Sequence, residues 1–114
     1  MLVLKFGGTS VGSPQRMKDL VPLISDARPK VVVLSAMSGT TNALVEIGAE
    51  LYSRNIDKAR ELIDSLEKKY QKVVSELYAS DAAKFKGQEL VREHFEFLRS
   101  FTVDMFTANE EKAV

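Results

Sequence analysis

Leu2-Val3-Leu4-Lys5-Phe6-Gly7-Gly8-Thr9-Ser10 reads as a short apolar strand that ends in a lysine and breaks into two glycines and two hydroxyls. Open α/β sheets bind ligands at the carboxyl ends of their strands. There this stretch places a positive charge beside bare backbone amides. Neither glycine has a Cβ to hold an anion away from the main chain. Successive N–H groups in such a turn form an anion-binding concavity, and a lysine ammonium can follow a phosphate oxygen. Lys5, Gly7, Gly8, Thr9 and Ser10 are therefore the candidate cradle for a nucleotide phosphate or an anionic substrate. The familiar phosphate loops do not fit. Gly7 to Gly12 has the spacing that opens a P-loop, but Ser13-Pro14 stands where Lys and Ser/Thr belong, and G-x-G-x-x-G does not occur. Taken alone, a Gly-Gly turn after a short strand is most often only a tight turn.

A second strand adds to the signal. Val31-Val32-Val33-Leu34 is a continuous β-branched run, the pattern of a parallel strand buried on both faces. It leads into Ser35-Ala36-Met37-Ser38-Gly39-Thr40-Thr41-Asn42, a loop rich in hydroxyl and amide side chains, and a helical pattern starts at Ala43. If the strands are parallel neighbours, this loop shares a sheet edge with Lys5. Thr41 or Asn42 also serves as a helix cap, with Gly39 in a turn. Capping and ligand binding are compatible, because a helix N-terminus with free N–H groups is itself an anion site.

Lys5-Phe6-Gly7-Gly8-Thr9-Ser10-Val11, followed at the right interval by Val32-Val33-Leu34-Ser35-Ala36-Met37-Ser38-Gly39-Thr40-Thr41-Asn42, resembles the N-terminus of the aspartate kinases (aspartokinases) of the amino acid kinase superfamily. Residues 55–114 resemble that family only as a helical stretch. The resemblance implies a fold, the N-terminal part of a three-layer αβα sandwich. It also implies an activity: ATP- and Mg2+-dependent phosphorylation of the L-aspartate side-chain carboxylate, which opens lysine, threonine and methionine biosynthesis. By similarity, Lys5 is the catalytic cation and contacts the phosphates of ATP with Gly7, Gly8, Thr9 and Ser10. Ser35 and Thr41 match positions that hold aspartate, and no metal ligand is assigned. Phosphoryl transfer needs positioning and charge neutralisation above all, which suits these residue types.

A chain of 114 residues can build one domain, yet it is short for the enzyme it resembles. The family's later landmarks are missing: a glutamate for the substrate amino group, an arginine for its carboxylate, a catalytic aspartate and an adenine site. The expectation is an N-terminal portion of the catalytic domain that is inactive by itself. The alternative is a non-catalytic α/β and helical-hairpin module that self-associates. Sixteen basic residues balance sixteen acidic ones, so no global field favours nucleic acid or an anionic membrane. The absence of cysteine excludes a disulfide framework, and one histidine, His94, makes a His-based metal site a poor reading. With no apolar run long enough to span a membrane, the composition suits a cytoplasmic protein; the resemblance implies small-molecule substrates, ATP and L-aspartate, and apolar helix faces left open should favour homo-oligomers.

Residues 1–54 read as β-α-β-α. Ser13-Pro14 starts the first helix, Met17, Leu20, Val21 and Ile24 give its apolar line, and Pro22 should kink or end it. The second helix runs from about Asn42 to Ser53, with Leu44, Ile47, Gly48 and Leu51 as its buried line. Residues 55–114 read as a helical hairpin. Ala59, Leu62, Ile63, Leu66, Tyr70, Val73, Val74 and Leu77 form the first apolar stripe. Ala79-Ser80-Asp81 breaks it, and Gly87 is a second weak point. Leu90, Val91, His94, Phe95, Leu98, Phe101, Thr102 and Met105 form the second stripe, with His94 as a packing residue. Phe97 and Phe106 lie off that stripe. Lys68, Lys69 and Lys72 opposite Glu67 and Glu76 read as a solvated face.

Overall fold

The computed structural model describes residues 1–113, and side chains as far as Val103. Strands β1 (Leu2–Phe6) and β2 (Lys30–Leu34) form a two-stranded parallel sheet in the register Leu2 to Lys30 through Phe6 to Leu34. Helix α1 (Pro14–Ile24) crosses between them, α2 (Thr40–Tyr52) follows β2, and α3 (Ile56–Leu77) and α4 (Asp81–Ala113) make the hairpin. The described residues are thus mixed α/β, with four helices and a small parallel sheet.

Local chemistry explains most boundaries. The Ser13 hydroxyl accepts from the Arg16 amide at 3.2 Å and Pro14 occupies the first turn, so α1 starts where expected. Pro22 is accommodated in the last turn of α1, where its missing N–H leaves only one carbonyl unpaired before the helix ends at Ile24. At that end the Lys30 ammonium accepts the role of a cap: it donates to the carbonyls of Ile24 at 3.1 Å and Asp26 at 2.6 Å. Asp26 receives Arg28 and Lys30, and these hydrogen bonds hold its carboxyl well below the usual range. Tyr78-Ala79-Ser80 separates the hairpin helices, Asp81 already belonging to α4, and the Ser80 hydroxyl accepts from the Ala83 amide at 3.2 Å.

The core lies among the helices. Ile47 and Leu51 of α2, Ala59, Ile63 and Leu66 of α3 and Phe95 of α4 form one buried cluster. Full burial of a residue such as Ile63 stabilises the fold by roughly 1.5–3 kcal/mol. The α3 stripe is as the periodicity predicts, with Val74 extending the buried line and Leu62, Tyr70, Val73 and Leu77 half-buried. Helix α4 departs from its predicted stripe: Leu90 and Phe101 are exposed, as is His94, while Val91, Phe95, Leu98 and Thr102 face α3. His94 borders a groove instead of packing in the core. Phe97 is exposed and meets Phe101 edge-on at 5.0 Å; Met105 and Phe106 fall outside the described side chains.

Gly87 is not a weak point. The helix runs through it, and a Cβ there would sit 2.8 Å from Val74 Cγ1, so the glycine permits α3 and α4 to cross closely. In α2, Leu44 is exposed and Gly48 faces open space, so only Ile47 and Leu51 of the expected line are buried. Val21 of α1 is exposed as well. The largest difference concerns the sheet. Val3, Val31, Val33 and Leu34 are 44–64% exposed, so β2 is not buried on both faces. A layer on one side only leaves a row of β-branched side chains in the open.

Among the charged groups of α3, Lys72 faces Glu76 at 4.0 Å, an exposed pair. Glu67 instead turns inward to Arg99 of α4, which also binds Asp64. Partial burial lowers the Arg99 pKa, but hydrogen bonds and charge from the two carboxylates outweigh it and raise the value overall. No helix among the described residues is long and apolar enough to cross a membrane.

Candidate phosphate and substrate site

Two loops leave the parallel strands at the same sheet edge. Lys5 pairs with Val33 and Phe6 with Leu34, and the Ser35 amide donates to the Phe6 carbonyl at 3.0 Å, carrying the ladder one residue past β2. Side chains alternate along a strand, so Lys5, Val33 and Ser35 belong to one face. Lys5 and Ser35 are both exposed there.

The first loop is anchored by Val11, which is buried, and closed by main-chain bonds: the Val11 amide to the Gly7 carbonyl at 3.3 Å and the Gly12 amide to the Thr9 carbonyl at 3.2 Å. Among the described residues, the amides of Gly8, Thr9 and Ser10 have no backbone carbonyl partner. Neither Gly7 nor Gly8 has a positive φ; their value is space. A Cβ on Gly7 would meet nothing within 4 Å, which leaves that side of the turn open. A Cβ on Gly8 would lie 3.2 Å from the Ala36 carbonyl oxygen, and one on Gly12 would lie 3.7 Å from Ser38 Cβ. The two loops are therefore in van der Waals contact, and glycine is what lets them meet.

The second loop is anchored by buried Met37. It reaches α2 through Gly39, whose φ of 86° lies in the left-handed region that favours glycine. This sets the helix start at Thr40, so Thr41 and Asn42 stand inside the first turn and neither is the cap; Gly39 occupies that position with no side-chain bond. The first intrahelical bond is the Ala43 amide to the Gly39 carbonyl at 3.0 Å. The Thr40 amide turns back to the Met37 carbonyl at 3.1 Å, which leaves the Thr41 and Asn42 amides without a backbone carbonyl partner among the described residues, as at any helix start without a side-chain cap. Thr41 is exposed at this end of the loop and Ser35 at the other.

Three neighbours of the site went unread in the sequence. The Arg16 guanidinium donates to the Thr9 carbonyl at 3.1 Å and steadies the first loop. The Lys69 ammonium of α3 donates to the Ser38 carbonyl at 3.1 Å, and the Thr40 and Tyr70 hydroxyls share a 2.6 Å hydrogen bond. Arg16 had a weak signal, a basic residue three positions after a helix cap. For Tyr70 the only hint was a polar-tipped aromatic in an apolar stripe. Lys69 had none, since its partner lies 31 residues away.

The site carries hydroxyls, amides and a lysine, but no carboxylate. Magnesium is ordinarily held by one or two carboxylates with substrate phosphates, and no cluster of three acidic, histidine or cysteine side chains occurs among the described residues. The donor set of the two loops therefore suits phosphate and carboxylate oxygens and does not suit a protein-held metal.

The pattern of the Amino acid kinase family matches residues 1–103. An aspartokinase from Rickettsia prowazekii (strain Madrid E) is 46% identical over 59 residues, which is 48% of this chain and 13% of the relative. An aspartate kinase from Pseudomonas putida is 38% identical over 69 residues, 57% of this chain and 17% of the relative. The chloroplastic aspartokinase 2 of Arabidopsis thaliana is 46% identical over 66 residues, 53% of this chain and 12% of the relative. The aligned stretches thus take in less than a fifth of each relative's length.

Proposed function

The chain belongs to the amino acid kinase family, and we propose that it supplies the phosphate-binding and aspartate-binding edge of an aspartate kinase. The observation that carries this reading is the contact between the glycine turn and the hydroxyl-bearing loop, with Gly8 against the Ala36 carbonyl. A phosphate on one loop and a carboxylate on the other would meet there. ATP and L-aspartate are the substrates, the product is 4-phospho-L-aspartate, and the location is cytoplasmic.

Each residue has a role that its position allows. The open amides of Gly8, Thr9 and Ser10 receive phosphate oxygens, and Gly7 leaves room for their approach. Lys5 lies between two anionic reactants; its ammonium lowers their repulsion and follows charge as it develops on the transferring group. Ser35 and Thr41 hold the aspartate by hydrogen bonds, leaving one side-chain carboxylate oxygen free to attack. Magnesium, when bound with ATP, neutralises phosphate charge; none of these residues is assigned to it.

Residues 1–54 and the hairpin of 55–114 form one portion of a catalytic domain. In the whole enzyme further strands would extend the sheet at its edges, and a second helical layer over the open row of Val3, Val31 and Val33 would complete a three-layer sandwich. The 114-residue chain alone is expected to give no acyl phosphate from aspartate and ATP, with hydroxylamine trapping as the assay; turnover above the blank contradicts this. In the full-length protein, Lys5→Ala should lower kcat by roughly 10²–10³-fold, the scale for losing one electrostatic contact to developing charge. Near-normal turnover rejects the role of Lys5.

A second reading concerns assembly. Phe97 and Phe101 are exposed one turn apart on α4 with their rings in contact, and adjacent apolar side chains of this size favour self-association. Sedimentation is expected to show a dimer or larger species, and a monomer across the accessible concentration range rejects it.

A further inference from the structure

We infer that helix α3 sets the position of the substrate loop, with Lys69 and Tyr70 as positioning residues for the acceptor; this rests on the aspartate kinase reading above. The segment Ser38-Gly39-Thr40 immediately precedes Thr41 and is held from two sides. On one side lies the glycine turn, with Gly12 facing Ser38. On the other lies α3.

The hydrogen bonds of this segment show why α3 is required. The Met37 carbonyl accepts from the Thr40 amide at 3.1 Å, and the Gly39 carbonyl accepts from the Ala43 amide at 3.0 Å. The Ser38 carbonyl between them receives the Lys69 ammonium at 3.1 Å. The Thr40 side chain is buried, and its hydroxyl is satisfied by Tyr70 at 2.6 Å. Buried polar groups are costly to leave unpaired, so Thr40 stays where Tyr70 is. The Tyr70 ring is itself fixed against Phe95, with centroids 5.7 Å apart. A chain of contacts therefore runs from the α3–α4 core through Tyr70 and Thr40 to Thr41. Residue 39 also has its Cβ position 3.4 Å from the Lys69 ammonium, so the loop and the lysine fit closely. Transfer between two bound groups is sensitive to displacements of about 1 Å, and this chain fixes the separation of the acceptor loop from the phosphate turn.

The test uses Tyr70→Phe, which removes the hydroxyl and keeps the ring, and Lys69→Met, with Lys69→Arg as the conservative rescue. In the full-length protein, both Tyr70→Phe and Lys69→Met are expected to raise KM for aspartate at least fivefold. KM for ATP should stay within twofold, and Lys69→Arg should restore most of the loss. Unchanged KM for aspartate, or equal losses in both substrates that Lys69→Arg does not restore, overturns the inference. Amide hydrogen exchange is read in parallel on the same proteins without substrate. Peptides covering Ser38–Asn42 should exchange at least fivefold faster in both variants, and unchanged exchange overturns the clamp. If the wild-type protein shows no aspartate-dependent turnover, the aspartate kinase reading and the acceptor role fall with it, whereas the exchange result still decides whether α3 holds the loop.

Discussion

The sheet half and the helical half of this chain divide the work differently. In residues 56–103 the apolar stripes are buried against each other and against α2, around Ile63 and Phe95. In residues 1–35, Val11 is the sole buried apolar residue, and Val3, Val31 and Val33 form one open row across the two strands. Yet the open half carries Lys5, the glycine turn and the start of the hydroxyl loop. Burial sits in the helices and the proposed phosphate and substrate residues at the sheet edge, and α3 joins the two halves through Lys69 and Tyr70.

This division can be broken most strongly at Ile63, which is 0% exposed. Ile63→Ala should cost about 2–5 kcal/mol, while Val33→Ala on the open row should cost under about 1 kcal/mol. Urea denaturation gives both values. Equal costs would mean that the sheet carries as much of the core as the helices.

Two glycines sharpen the same contrast with smaller effects. Gly87→Ala pushes a methyl into Val74, a stiff and buried neighbour, so it should destabilise by about 1–3 kcal/mol despite the better helix propensity of alanine. Gly48→Ala meets nothing within 4 Å and should stabilise by about 0.5–1 kcal/mol. Opposite signs in thermal melts are expected, and stabilisation by both would deny the close crossing of α3 and α4.

The smallest effect is electrostatic, at the joint between α1 and β2. The hydrogen bond from Arg28, then that from Lys30, depresses the Asp26 carboxyl. A folded pKa below the unfolded one gives stability that is present above the ordinary aspartate range and lost as pH falls through it toward the folded value. The stability gap between wild type and Asp26→Asn should therefore be widest near pH 7 and close on acidification. A gap that widens at low pH contradicts the assignment. Because these groups are exposed, added salt should also narrow the gap.

Much of this was legible in the chain because the signals were local. Ser13-Pro14 announced α1, the run from Ala59 to Leu77 gave the α3 face, and Lys5 with Gly7-Gly8 marked the sheet edge. Other features depended on contacts remote in sequence. Gly87 looked like a helix breaker because a glycine's neighbour across a helix crossing is not written beside it. His94 and Leu44 matched the helical period but border a groove lined by α2, α3 and α4. The valines of β2 carried the pattern of a strand covered on both faces, and no element among the described residues covers Val31 and Val33. Lys69 looked like one of three solvated lysines until its reach to the Ser38 carbonyl was seen.

Hydrogen exchange on the full-length protein, with and without Mg·ADP and aspartate, tests most directly whether the two loops form one binding place. Peptides covering Lys5–Ser10 and Ser35–Asn42 are expected to gain protection together, the first with nucleotide and the second with aspartate, each enhanced by the other ligand. Protection confined to other regions, or none in either loop at saturating ligand, would contradict the shared site.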